Sequence, residues 1–184
     1  SPFEVRTDGD VGYRAANSLA GSRLNTALKD TPASISVFTE EFIRDIGAID
    51  LSEIMPYAAN AQFDFGEASD DATVTLFQEN LGFTRGSNAG YRVRGVRATT
   101  SRNYFEWDLS SDTYNVGLVE DSRGPNAVLF GFGSAGGIIN VSTKEPVFGR
   151  SAQSATFSYD KYGSKRGTLD FSRSFFNKRL AVQL

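Results

Sequence analysis

The sequence contains no cysteine and no histidine. The first absence excludes disulfides, thiolate metal ligands and cysteine nucleophiles, and the second removes imidazole ligands and any histidine-based triad. No carboxylate pair stands out at a spacing suited to acid–base work, so the chain reads as a non-enzyme with no cofactor. Neither charge dominates: 19 Lys and Arg stand against 22 Asp and Glu, a net charge of −3. No basic field exists to attract nucleic acid or anionic lipid. Long apolar runs are missing too, and without about 18 consecutive apolar residues no transmembrane helix is available, so a membrane role would have to use strands. The N-terminus lacks a basic stretch followed by an apolar one and reads as a mature segment. What is present is 40% hydrophobic residues in a chain of 184, enough for a core and for one domain with something attached.

The most informative stretch runs from Arg123-Gly124-Pro125 through Gly131-Phe132-Gly133-Ser134-Ala135-Gly136-Gly137 to Ile138-Ile139-Asn140-Val141-Ser142-Thr143-Lys144-Glu145-Pro146. Pro125 presets φ for a first helical position and Gly131 suits a left-handed residue after the last turn, so Asn126 to Phe130 reads as a one-turn helix. Gly133, Gly136 and Gly137 then turn the chain into a buried β-branched strand, Ile138 to Thr143. The glycines from Gly131 to Gly136 also satisfy a dinucleotide-binding spacing. That fingerprint needs a strand before it, a helix after it, and an acidic residue about 20 positions on. Here a helical turn precedes, a strand follows, and Gln153 to Phe157 occupy the acidic place. Asn140-Val141-Ser142 matches a glycosylation acceptor, but its place inside a buried strand makes the match uninformative.

At these residues the chain resembles the plug domain of the TonB-dependent outer-membrane receptors, above all the ferric-siderophore branch. Two further motifs support the resemblance in the family's order: Thr31-Pro32-Ala33-Ser34-Ile35-Ser36-Val37-Phe38-Thr39, similar to the first plug strand, and Tyr91-Arg92-Val93-Arg94-Gly95-Val96, similar to the central strand with its Arg-Gly. The resemblance covers about residues 31 to 184. It implies an α+β plug (a small mixed sheet with short helices and loops) over residues 31–148, followed at 149–184 by the first antiparallel strands of a transmembrane β-barrel. It further implies a place in the bacterial outer membrane and energy-coupled uptake of a scarce small-molecule ligand such as a ferric siderophore. A secreted or surface-attached β-rich binding module without transport activity is the alternative reading.

Residues 1–30 are polar and carry little periodicity, with Asp8-Gly9-Asp10 and Gly21-Ser22 breaking regular structure. They read as a tail or linker. Its short extended patch, Pro2, Phe3, Glu4 and Val5, occupies the place of the Ton box, the segment that in the resembled receptors adds as a strand to a TonB-type energy-transducing partner. Strand addition draws affinity from backbone hydrogen bonds and demands little of the sequence. Beyond it, Ile35 to Phe38 predicts a strand. Thr39 predicts a helix cap before Glu40 and Glu41, and Gly47 the helix end. Asp50 and Glu53 stand at capping-box spacing before a second helix that Pro56 stops. Phe63 to Asp71 is an acidic loop without the ligand alternation of a Ca²⁺ site.

Arg92, Arg94 and Arg97 lie around Val93, Gly95 and Val96, and an extended strand would put Arg92 and Arg94 on one face. A buried arginine needs a carboxylate. The resemblance implies that Arg94 and Arg123 pair with glutamates on the inner barrel wall, beyond residue 184, and lock the plug. Thr99 to Asp112 reads as a loop. Its Arg102, Asn103, Tyr104, Phe105 and Trp107 suit ligand capture, while Phe105 and Trp107 equally suit anchoring the loop to the plug core. The chain departs from the family here: Trp107-Asp108-Leu109 stands where a glycine turn is expected, and Gly117-Leu118 where an acidic and basic pair is expected, while Glu120 is kept.

After Pro146 the pattern alternates. Ala155, Phe157 and Tyr159 share one parity against Ser154, Thr156, Ser158 and Asp160. Leu169, Phe171 and Phe175 repeat it against Thr168, Asp170, Ser172 and Ser174. Period two with one apolar face marks a strand between lipid and a wet lumen, though a soluble sandwich gives the same alternation. Turns are expected at Tyr162-Gly163-Ser164-Lys165 and Asn177-Lys178, with a third strand from Leu180 to Leu184. Transporters of this kind close about 22 strands, and an open sheet edge in a bilayer leaves backbone groups unsatisfied at several kcal/mol each. Three strands cannot close, so the chain reads as a fragment, a truncated gene product or part of a larger assembly.

Overall fold

The computed structural model describes residues 12–15, 17–18, 26–30, 34–63, 91–107, 112–124, 131–146, 151–175 and 180–183. The chain divides into two compact units between Thr143 and Lys144. In the first, in chain order, lie β1 (Asn17–Ser18), β2 (Thr26–Ala27), a 3-10 turn (Leu28–Asp30), β3 (Ile35–Thr39), α1 (Glu40–Asp45), α2 (Leu51–Ile54) and a second 3-10 turn (Met55–Tyr57). Then come β4 (Ala61–Phe63), β5 (Tyr91–Val93), β6 (Val96–Arg97), β7 (Thr99–Arg102), β8 (Phe105–Glu106), β9 (Val116–Arg123) and β10 (Gly137–Thr143). The second unit holds β11 (Ala152–Tyr159), β12 (Lys165–Phe175) and β13 (Leu180–Gln183).

The central sheet of the first unit has the order β3-β9-β10-β7-β8, and the strands β4-β5-β6 form a second, smaller sheet. β10 runs parallel to β7 and antiparallel to β9. The expected Gly-rich strand is therefore the middle of the unit. Its Ile138, Ile139 and Val141 are buried, as the near-continuous apolar reading of a strand covered on both faces requires. Ile139 and Val141 join Phe38, Ile43, Leu51, Ile54, Met55, Tyr91, Val93, Val116 and Val119 in the core.

The caps fall where the sequence places them. Thr39 accepts a hydrogen bond from the Phe42 amide at 3.3 Å through its Oγ1, and Gly47 leaves α1 at φ +70°. Asp50 caps α2 by accepting from Ser52 at 2.8 Å. Glu53, however, accepts from the amide of Ile49 at 2.7 Å instead of closing the box on Asp50. Pro56 lies in the 3-10 turn that ends the pair of helices. The stretch read as a linker contributes β1 and β2, which pair antiparallel, and Thr39 donates to the carbonyl of Gly12 at 2.8 Å.

Two glycines set how closely β10 can pack. A Cβ on Gly136 would stand 2.5 Å from the carbonyl oxygen of Arg97, and one on Gly137 would run into that of Ser122. Gly137 also adopts φ +122°, a conformation that only glycine reaches without strain. The helix expected over Asn126 to Phe130 lies outside the described residues, as does the acidic stretch 64–71.

Arg123 on β9 ties the edge strand β3 to β9 and pairs with Asp121 on its own strand. Arg123 donates from Nε to Asp121 at 2.9 Å and from Nη1 to Ser34 at 3.1 Å, and from Nη2 to Ser36. Asp121 is fully buried, and its Oδ1 has no hydrogen-bond partner among the described residues. Burial pushes the Asp121 carboxyl above the ordinary carboxylate range, with the Arg123 hydrogen bond and charge opposing the shift.

In the second unit β11, β12 and β13 form an antiparallel meander. Phe157, Tyr159 and Leu169 are exposed, and along β12 the alternate residues Thr168, Asp170, Ser172 and Ser174 are half-buried. On that polar face Asp170 accepts from Lys144 at 2.8 Å and from Gln183 at 3.4 Å. The turn between β11 and β12 is closed by Asp160, whose Oδ1 accepts from the amides of Tyr162 and Ser164. The return turn expected at Asn177-Lys178 lies outside the described residues.

Gly137→Ala should lower stability well beyond the roughly 1–2 kcal/mol of a left-handed alanine, because the clash with Ser122 adds to the strain. Gly47→Ala, with open space around its Cα, should lose that conformational amount alone; urea denaturation followed by circular dichroism compares the two. For Asp121 the folded pKa exceeds the unfolded one, so the group favours folding most at acid pH, and that contribution fades as pH rises through the raised value. Asp121→Asn should therefore lose less stability than the parent as pH rises from the ordinary carboxylate range, about pH 4, toward neutrality.

Candidate functional site

Two tight hairpins present the arginines and aromatics that the sequence singles out. The first joins β5 to β6. Arg94 and Gly95 take φ +54° and +78°, the pair of positive values that a two-residue type I′ turn needs. The expected straight strand through Arg94 is thus a reversal, and Arg92 and Arg94 do not share a strand face. Arg92 donates from Nη1 to the Gly95 carbonyl at 3.0 Å, the Arg94 amide donates to Asn60 at 2.8 Å, and the Arg94 side chain is exposed. Ser134 donates to the carbonyl of Arg97. The hairpin therefore rests on the Gly-rich segment, whose Gly136 admits the carbonyls of Val96 and Arg97.

The second hairpin joins β7 to β8 and corrects the loop reading of Thr99 to Asp112 over its described part. Asn103 and Tyr104 form the turn at φ +50° and +62°. A non-glycine residue in this region stores of order 1–3 kcal/mol of strain and persists only where its surroundings over-determine it. Here they do. The Asn103 amide donates to Val141 at 3.0 Å, Asn103 Oδ1 accepts from the Thr143 amide at 3.0 Å, and the Tyr104 amide donates to Asn140 Oδ1 at 2.9 Å.

Beneath the turn lies a buried polar group. Glu120 is 1% exposed. Its Oε1 accepts from Ser18 Oγ at 2.6 Å, and its Oε2 from Asn140 Nδ2 at 3.1 Å and from the Tyr104 hydroxyl. Asn140 Oδ1 also accepts from Ser101 at 3.0 Å. Burial first, then the charge of Glu120, pushes the Tyr104 phenol far above its ordinary pKa, so it stays a donor at neutral pH. Sequence reasoning kept Glu120 as a motif residue and left out Asn140 and Ser18. The signal was there in polar residues interrupting two buried strands.

The other expected ligand residues surround this turn. Phe105 is 77% exposed, whereas Trp107 is half-buried with its backbone held to Thr100 at 3.1 and 2.6 Å. The Arg102 guanidinium lies 5.6 Å from the Trp107 ring centre and donates to Asn115. Of the hairpin's aromatics, Tyr104 is bonded inward to Glu120 and Phe105 faces outward. Arg123 is held within its own unit by Asp121, Ser34 and Ser36. Pro2, Phe3, Glu4 and Val5 lie outside the described residues. Among the described residues no cluster of three or more acidic side chains could hold a metal ion.

The model of the TonB-dependent receptor plug domain matches residues 27–138. The probable TonB-dependent receptor BfrD of Bordetella pertussis is 31% identical over 144 residues, 77% of this chain and 18% of that protein. The metal-pseudopaline receptor CntO of Pseudomonas aeruginosa is 32% identical over 172 residues, 91% of this chain and 22% of its own length. Among solved structures, P. aeruginosa FpvA bound to a heterologous pyoverdine superposes with a TM-score of 0.74 at 18% identity, covering 94% of this chain and 22% of that one. The ferric-catecholate import receptor Fiu of E. coli K12 does so at 0.69 and 20%, covering 91% and 23%. The chain spans about a fifth of the length of these relatives. A plug sheet centred on β10, followed by an antiparallel meander, and a family match over most of the first unit together place the chain in the TonB-dependent receptor plug-domain family, that of the outer-membrane receptors.

Proposed function

We propose that this chain is the plug and the opening barrel strands of a receptor that takes up a scarce small molecule across the outer membrane, drawing energy from a TonB-type periplasmic partner. The observation that carries the reading is the succession within one chain of a plug-domain match over residues 27–138 and an alternating, open-edged meander at β11–β13. Such edges are tolerable in a bilayer only when further strands close the sheet. The relatives named as siderophore and metal-chelate receptors make a ferric siderophore or a related metal chelate the ligand class of choice.

Within that reading the β7–β8 hairpin contacts the ligand. Phe105 offers an exposed aromatic face, Arg102 a cation stacked near Trp107, and Asn103 and Tyr104 hold the turn in shape. Arg94 is the better barrel-facing lock of the two arginines, because its side chain is exposed and free to meet an inner-wall carboxylate. Arg123 supports the lock from inside by bracing β3 against β9. Pro2 to Val5 recruit the energy-transducing partner by strand addition.

In the complete receptor, Phe105→Ala combined with Arg102→Ala should weaken binding of a ferric siderophore at least tenfold, about 1.4 kcal/mol, in a titration of tryptophan fluorescence. Unchanged affinity would remove the hairpin from the ligand site. Arg94→Ala should raise amide exchange across the plug inside the barrel, and unchanged protection would contradict the lock.

A further inference from the structure

We propose that the exposed face of β11–β13 is bounded by Lys165 and Arg173 at the two surfaces of the bilayer, and that Arg173 takes the phosphate of an anionic lipid there. The inference rests on the barrel reading of the second unit and adds where its lipid face ends and what meets it. Opposed residues of an antiparallel ladder share one face of the sheet. Tyr159 stands opposite Lys165, Phe157 opposite Gly167 and Ala155 opposite Leu169. Further along, Arg173 stands opposite Val182 and Phe175 opposite Leu180. These residues share one side of β12, and the other side carries the Lys144–Asp170 pair. Their side is apolar and exposed in its middle, at Phe157 and Leu169, with one cation toward each end and an aromatic ring next to each cation. Aromatic girdles flank the apolar band of a transmembrane barrel in the same way. β12 is the central strand of its sheet, so strands that complete a barrel add beyond β11 and β13 and not beside Arg173.

The spacing fits a bilayer. Lys165 and Arg173 stand eight positions apart on β12, about 27 Å at about 3.4 Å per residue. A strand tilted by roughly 35–45° covers about 19–22 Å of that along the membrane normal, against an outward apolar band about 25 Å tall. The long stems of lysine and arginine carry their charges the remaining distance to the surfaces. The Arg173 guanidinium lies 5.4 Å from the Phe175 ring centre, so it leans toward the end of β12 and away from Leu169. Among the described residues Arg173 forms no ion pair, and no carboxylate shares its side of the sheet. A cation at the edge of an apolar face with no protein anion beside it suits a lipid phosphate, which a guanidinium meets with two parallel hydrogen bonds. The attraction is local and needs no positive field over a chain of net charge −3.

The test has two parts, both on the complete receptor. A nitroxide is placed through Lys165→Cys, Leu169→Cys or Arg173→Cys, one at a time, in dioleoylphosphatidylglycerol vesicles. Its collisions with oxygen, which concentrates in hydrocarbon, are compared with those of a water-soluble nickel chelate. The label at Leu169 should lie deepest, with those at Lys165 and Arg173 near the surfaces. A Leu169 label reached mainly by nickel would mean that this face meets water, and the barrel reading itself would fall. A Leu169 label in hydrocarbon with the Arg173 label equally deep would overturn the boundary and leave the barrel standing. The phosphate contact is read by native mass spectrometry of the receptor released from maltoside detergent after titration with dioleoylphosphatidylglycerol. Arg173→Leu should weaken lipid retention about fivefold, the usual worth of one basic residue at an anionic membrane surface. Arg173→Lys, which keeps the charge, should stay closer to the parent. Equal retention by Arg173→Leu would overturn the lipid contact, and so would loss of the lipid from the parent to millimolar inorganic phosphate, the behaviour of a simple anion site.

Discussion

The approach of β10 to its neighbours is the constraint on which the first unit depends. Gly136 lets the carbonyls of Val96 and Arg97 come to within the space a side chain would fill, and Gly137 does the same for Ser122. From that approach follows the register that places Asn140 opposite Glu120 and Val141 opposite Val119. The parallel pairing with β7 then brings Ser101 beside Asn140. Apolar burial on β10 stabilises the unit, but the missing side chains decide which strands can share it. A buried polar group is tolerable in this core only because the register supplies its partners.

The legible and illegible parts of the sequence separate along that line. Thr39, Gly47 and Pro56 act within a few residues of themselves, so caps and stops could be read directly. The Gly-rich strand was equally plain, because β-branched residues after paired glycines leave few conformations. Tight turns were harder. Arg94-Gly95 and Asn103-Tyr104 contain a large residue at positive φ, and the second lacks glycine altogether. Local propensity argues against both, and tertiary hydrogen bonds from Asn60, Asn140 and Thr143 override it. The Glu120 group was only half legible, for a different reason: polar residues interrupting two buried strands mark a buried polar group, but its donors come from residues 18, 104 and 140, and no local pattern says which residues meet across such distances.

Arg123 shows how a resemblance and a geometry can divide a role. The family pattern assigns it to the barrel wall, whereas Asp121, Ser34 and Ser36 already satisfy its Nε, Nη1 and Nη2. Bracing β3 is a use of the same charge inside the plug. A buried arginine–aspartate pair adds little net stability against an apolar replacement but is costly to break from one side, which suits a fastening more than a source of stability.

The second unit makes the opposite case. Its alternation was readable in full, yet alternation alone does not distinguish a wall of a barrel from a sheet of a soluble domain. Large apolar side chains remain exposed on one face and a lysine, an aspartate and a glutamine bond together on the other. That division is the one expected of strands with an apolar face toward lipid and a polar face toward a wet lumen. Hydrogen exchange of the 184-residue chain in buffer, compared with the complete receptor in detergent, tests it most directly. Protection of residues 91–143 in both samples, with 152–183 protected only in the receptor, is the predicted result. Equal strong protection of 152–183 in buffer alone would mean that these strands complete a soluble domain, and the receptor reading would fail.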